Sequence, residues 1–183
     1  MSGVSMGFWT PSAEFNDVSA MSRRAVDIIG VPQSRDFPLD VIPIAGGAGG
    51  VYIAQTVGHI PLHTDRKSSD QNSLIFNFVL ETDARPMLMT APSTPSIDVK
   101  ILQPQTDATF ALGCFEIRPG QVFHMDVANT WHGIGSMPYP GRWALPKTLI
   151  IQCEWPNPRE VQNAIEKVKR SFRADPRFAA FVL

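Results

Sequence analysis

At 183 residues the chain has the length of one ordinary domain, and its 44% hydrophobic content is enough to build a core, which excludes a disordered polypeptide. Its 16 basic and 17 acidic residues leave a net charge of −1, so bulk electrostatics draws it neither to nucleic acid nor to an anionic membrane. No apolar run approaches the roughly 18 residues of a membrane span, and the opening residues lack the basic and apolar regions of a secretion signal.

Taken in chain order, the first element is a helix over residues 12–29. Phe15, Val18, Met21, Val26 and Ile29 recur at near-helical spacing, with Ser12 placed to cap it. Val31-Pro32 ends the pattern, because proline disfavours helix in the residue before it. Residues 37–44 hold two prolines and read as an edge or connecting segment. The glycine-rich run 45–50 lacks the Gly-Lys-Ser/Thr ending of a phosphate loop, and reads as a flexible turn or lid. From there to Trp155 the chain changes to short alternating or apolar runs, at 51–57, 73–80, 85–90, 96–102, 121–127 and 147–155. Turn chemistry separates them, drawn from the chain's 16 prolines and 13 glycines. Short strands at even spacing with no helix between them predict an antiparallel sandwich or barrel. Residues 157–172 predict a closing helix with Pro158 in its first turn and Val161, Ile165, Val168 and Phe172 as one stripe; its charges form the solvated face. The expectation is a single domain over 1–183. Residues 1–50 hold the N-terminal helix and connecting segments, 51–155 the β core, and 156–183 the C-terminal helix.

Chemistry concentrates in the middle of the chain, where all four histidines lie. In His63-x-Asp65 an extended strand puts an imidazole and a carboxylate on one face. These are two of the three ligands of a two-histidine, one-carboxylate facial triad, the donor set that holds Fe(II) with open positions. A second copy, His124-x-Asp126, is the rival pair. His132 is far enough downstream of Asp65 to come from another strand, and Arg142 lies ten residues beyond it. The prolines and glycine between them predict a reversal near Met137 that sets His132 and Arg142 on neighbouring strands facing one interior. Such a cavity suits a dicarboxylate that chelates metal at one end and meets a guanidinium at the other. His59, on the same regular-strand face as His63 but about 13 Å away, reads as a cavity-lining or hydrogen-bonded core residue. In residues 73–80 the alternation places Leu74, Phe76, Phe78 and Leu80 on one face and Asn77 on the other. Trp131 and Trp143 alternate away from their motif neighbours into core packing. Cys114 and Cys153 lack metal-site spacing and read as ordinary thiols in a reducing, cytoplasmic setting.

The order His63-x-Asp65, then His132, then Arg142, with Pro119-Gly120-Gln121-Val122-Phe123 before the distal histidine, resembles the Fe(II)- and 2-oxoglutarate-dependent oxygenase family. The resemblance implies a mainly β fold, a double-stranded β-helix (jelly-roll or cupin-like) core with flanking helices. It implies Fe(II) on His63, Asp65 and His132, and 2-oxoglutarate held through its distal carboxylate by Arg142. With O2, the cosubstrate would be decarboxylated to succinate while a small molecule or protein side chain is hydroxylated. Many members carry a serine two residues after the arginine; Ala144 stands there, so Tyr52 or Asn77 is expected to supply that bond. The alternative is a cupin-type metal-dependent dioxygenase or isomerase, or a small-molecule binder, without 2-oxoglutarate. Pro119-Gly120-x3-His124-x4-Asn129 is close to the second cupin motif though out of register. A metal-free interaction domain is the third reading. Specificity is expected in residues 36–50, 66–73 and 91–95.

Overall fold

The N-terminal helical pattern is broken in two in the computed structural model, which describes residues 4–30, 38–45, 50–65, 74–91, 113–136, 145–154 and 160–183. Helix α1 (Pro11–Glu14) stops at Phe15, and α2 (Val18–Ile29) starts afresh. The cap of α2 is Asp17, whose carboxylate accepts from the Ala20 N–H at 3.0 Å, so Ser12 caps nothing. Phe15 leaves the helix because its ring is worth more inside: it is fully buried, edge-on to Trp9 and against Phe172.

There are ten strands among the described residues, of which β3, β5, β6, β8 and β10 fall on the alternating runs: β1 (Ser5–Phe8), β2 (Leu39–Pro43), β3 (Val51–Val57), β4 (Ile60–His63), β5 (Leu74–Asp83), β6 (Pro86–Ala91), β7 (Gly113–Glu116), β8 (Gln121–Asp126), β9 (Trp131–Ser136) and β10 (Lys147–Glu154). They pair antiparallel in two sheets, ordered β1-β8-β5-β10-β3-β2 and β4-β9-β6-β7. Strands β3 to β10 are thus dealt between two facing walls in the order of a double-stranded β-helix, as expected. Strand β2, ending on Pro43, is an edge of the larger sheet, where a missing N–H is harmless. Strands β1 and β7 escape sequence reading because four residues are too few to show a period. The expected strand over 96–102 lies outside the described residues.

The outer face of the larger sheet carries the main core. Phe76, Phe78 and Ile151 pack there against Met21 and Ala25 of α2 and against Ile165, Val168 and Phe172 of α3 (Val161–Ala174). Two expectations for α3 need correction. Val161 is 36% exposed and stands off the stripe: residues 160–163 are all exposed, and burial begins at Ala164. Nor are all its charges solvated: Lys169 Nζ reaches Glu14 Oε2 at 2.8 Å and Lys167 Nζ donates to the Glu154 carbonyl at 2.7 Å. Residues 157–159, the expected start of that helix, lie outside the described residues. Among the described residues no helix is long and apolar enough to cross a membrane.

The inner face of the same sheet is different. Ile75, Asn77 and Val79 alternate inward from β5 as their spacing requires, and face the smaller sheet across a cavity. That cavity positions the site.

Candidate metal centre

Strand β4 is irregular where it matters. Ile60 pairs with Ile134 and His63 with His132, so β4 spends one residue more than β9 between the two pairs. The surplus forms a bulge at Pro61 and Leu62, which turns Ile60 and His63 to the cavity while Leu62 packs outward with Met89 and Trp131. Regular alternation would have set His59 on the face of His63. The bulge replaces it with Ile60, and His59 is not among the cavity-lining residues. Asp65 follows two residues past the strand end, its N–H held by the Val127 carbonyl at 2.9 Å.

His63, Asp65 and His132 converge, with one ligand atom from each lying within 4.8 Å of the other two. His63 Nε2 is 3.3 Å from Asp65 Oδ1, and His132 Nε2 is 3.9 Å from Asp65 Oδ2. The imidazole centroids are 4.4 Å apart. Each Nδ1 lies against a backbone carbonyl, Pro61 O at 2.8 Å for His63 and Thr130 O at 2.9 Å for His132. A carbonyl can only accept, so each Nδ1 donates its proton to the carbonyl behind it, and each Nε2 faces Asp65. Backbone carbonyls behind two imidazoles are the support that metal-ligating histidines need.

Burial lowers the pKa of His63, yet the hydrogen bond to Asp65, the Pro61 carbonyl and the Asp65 charge outweigh it and raise the value overall. At His132 burial dominates, the nearby His63 adds to it, and the pKa falls. Two nitrogens and a carboxylate oxygen on one side of a cavity fit a divalent first-row metal with its remaining positions open.

The rival pair is set aside by one residue of register. Phe123 and Met125 of β8, and Val127 just past it, line the cavity, so His124 points out, its ring centroid 5.2 Å from that of Phe76. Asp126 accepts from the Ala128 and Asn129 N–H groups and from Asn129 Nδ2, and builds the turn into β9. Trp131 packs in the outer cluster with Leu62, Met89 and Ala91, as its alternation from His132 requires.

The cavity has a volume of about 310 Å³, with apolar walls that include Val41, Ile60, Leu88, Ile134 and Ile150. Its polar floor is one cross-strand row, Tyr52 opposite Gln152 opposite Asn77. Both sequence-picked residues, Tyr52 and Asn77, are therefore at the cavity. Asn77 is buried with its Oδ1 lacking a protein partner. Farther from the triad, Thr56 lines the cavity and Thr148 stands directly opposite it on the same sheet face. Both hydroxyls are buried without a protein partner. Gln152, Thr56 and Thr148 were missed because a lone polar residue in an apolar strand signals nothing until its neighbours across the sheet are known. Arg142, the hairpin around Met137, Trp143, Ala144 and loop residues 46–49, 66–73 and 92–95 lie outside the described residues.

Fold and site together define a double-stranded β-helix protein with a candidate His–Asp–His metal centre. No family model and no curated protein matches the sequence. Among solved structures the chain is similar to EvdO2 from Micromonospora carbonacea var. aurantiaca, at 14% identity over 86% of this chain and 90% of that one, with a TM-score of 0.47. The same protein complexed with 2-oxoglutarate matches at 14% identity over 87% and 89%, with a TM-score of 0.49. Acinetobacter sp. DL28 L-ribose isomerase in complex with L-ribose matches at 11% identity over 67% and 61%, with a TM-score of 0.37.

Proposed function

We propose that the chain is an Fe(II)- and 2-oxoglutarate-dependent oxygenase that hydroxylates a small molecule or a protein side chain. The observation that carries the reading is the convergence of His63, Asp65 and His132 at a half-polar, half-apolar cavity, with both histidine protons tied to backbone carbonyls. These three residues would hold Fe(II). When bound, that metal supplies the redox chemistry by which substrate, O2 and 2-oxoglutarate become hydroxylated product, succinate and CO2.

The chain's own residues do the rest. Arg142 would grip the distal carboxylate of 2-oxoglutarate by a bidentate pair, with the Thr56 and Thr148 hydroxyls supplying the bonds that a serine at 144 would otherwise give. Asn77, Tyr52 and Gln152 would orient the body of the cosubstrate, while the apolar walls exclude bulk water. A reducing, cytoplasmic compartment suits both Fe(II) and the two free thiols, Cys114 exposed and Cys153 buried.

One observation favours a second reading, a cupin-type metal enzyme or small-molecule binder without cosubstrate. Among the described residues no lysine or arginine lines the cavity, so the counter-charge for a dicarboxylate would have to come from outside them, as Arg142 would supply it. Anaerobic titration with Fe(II) and then 2-oxoglutarate separates the two. The oxygenase develops the weak visible charge-transfer band of the ternary complex, and the cupin does not. In the oxygenase, Arg142→Leu weakens 2-oxoglutarate by about 10- to 150-fold, the worth of hydrogen bonds to a charged group. Iron affinity stays as it was. Fe(II) binding without any cosubstrate band would leave only the second reading.

A further inference from the structure

The bulge in β4 does more than turn His63 inward. It pushes the Pro61 carbonyl to where it accepts the His63 Nδ1 proton at 2.8 Å. Proline suits the place, since it has no N–H to leave unpaired. The bulged backbone also presses against β9 at Gly133. A Cβ there would stand 2.6 Å from the Ile60 carbonyl oxygen and 3.0 Å from both the carbon and oxygen of the Pro61 carbonyl. Those are backbone atoms and cannot swing aside. Gly133 is not among the glycines with positive φ, so space, not backbone conformation, is what demands glycine here.

We infer that Gly133 is a positioning residue: its missing side chain leaves room for the Pro61 carbonyl, which holds the His63 proton on Nδ1 and aims Nε2 beside Asp65 and His132. The inference rests on the metal reading of that cluster. It extends the site's support from the histidine to a carbonyl behind it, and from that carbonyl to an empty place on the neighbouring strand.

Gly135 provides the comparison within the same strand. It faces the same way two residues on, but its Cβ would meet only Sδ and Cε of Met89, at 3.2 and 3.3 Å, the flexible end of a side chain. Gly133→Ala and Gly135→Ala are therefore prepared together and titrated with Fe(II) under anaerobic conditions without cosubstrate, with a thermal melt of each. Gly133→Ala should bind Fe(II) about 10- to 100-fold more weakly than the wild type, the usual loss when a ligand's supporting partner is disturbed. Gly135→Ala should bind like the wild type. A role confined to strand packing would lower the melting temperature of Gly133→Ala and leave the iron affinity of its folded fraction unchanged, and that result overturns the inference. If Gly133→Ala does not fold, nitrogen NMR of the metal-free wild type at alkaline pH decides: a His63 proton on Nε2 overturns the inference, one on Nδ1 supports it. Absence of Fe(II) binding by the wild type would instead remove the metal reading itself.

Discussion

The three side chains of the site sit at a cavity rim where none fills the core, which separates their function from the fold. His63→Ala and Asp65→Ala are accordingly expected to abolish Fe(II) binding while circular dichroism and the melting temperature change little. Iron stoichiometry near that of the wild type in both variants would remove the assignment. His124→Ala should keep its iron, because that ring lies against Phe76 on the opposite face of β8. A subtler outcome is expected at Thr56, whose buried hydroxyl lacks a protein partner. Thr56→Val keeps the shape and removes the unpaired group, so the metal-free protein should gain up to about 1 kcal/mol in stability. Its 2-oxoglutarate affinity should fall. Loss of stability together with unchanged affinity would mark Thr56 as an ordinary core residue.

At the scale of elements, the closing segment ties α1 and β2 to the outer face of the larger sheet. Phe172 of α3 is fully buried among Phe15, Phe178 and the outer face of the larger sheet. Phe172→Ala should cost about 3–5 kcal/mol in chemical denaturation, the range for emptying an aromatic site. Just beyond the helix, Asp175 is buried and accepts from the Ala45 N–H at 2.9 Å and from Arg177 through its N–H, Nε and Nη2. Arg177 Nη2 also donates to the Pro43 carbonyl at 2.7 Å, which clamps the end of β2. The Arg177 hydrogen bond outweighs burial and, with the backbone N–H groups, lowers the Asp175 carboxyl to about 2. A carboxyl depressed by folding adds stability that is complete above its unfolded value of about 4 and is lost as pH falls through its folded value. Stability should therefore decline between about pH 4 and about pH 2 in the wild type, with a shallower decline in Asp175→Asn. An identical pH profile for the two proteins would show that the clamp contributes nothing.

At the scale of the whole molecule, one core cluster takes residues from Trp9 near one end to Phe178 near the other, passing through α2, strands β2, β3, β10, β5 and β8 of the larger sheet, and α3. Nothing in that cluster separates the flanking helices from the β core. The expected single domain should then unfold in one calorimetric transition whose van't Hoff and calorimetric enthalpies agree. Two resolved transitions would divide the helices from the barrel.

Properties carried by residues a few positions apart could be read from the sequence alone. The two-residue period of β5 told that Phe76 and Asn77 face opposite sides of the sheet, His63-x-Asp65 told that a carboxylate accompanies an imidazole, and the stripe of α3 told which side is buried. Local sterics and periodicity suffice for such features. The break at Phe15, the bulge at Pro61 and Leu62, the pairing of His63 with His132 and the facing hydroxyls of Thr56 and Thr148 had to wait for the tertiary structure. Each depends on what lies across a sheet or beneath a helix, often many tens of residues away. His59 shows the consequence: one surplus residue in β4 reverses its face, and only the strand beside it reveals that the residue is surplus.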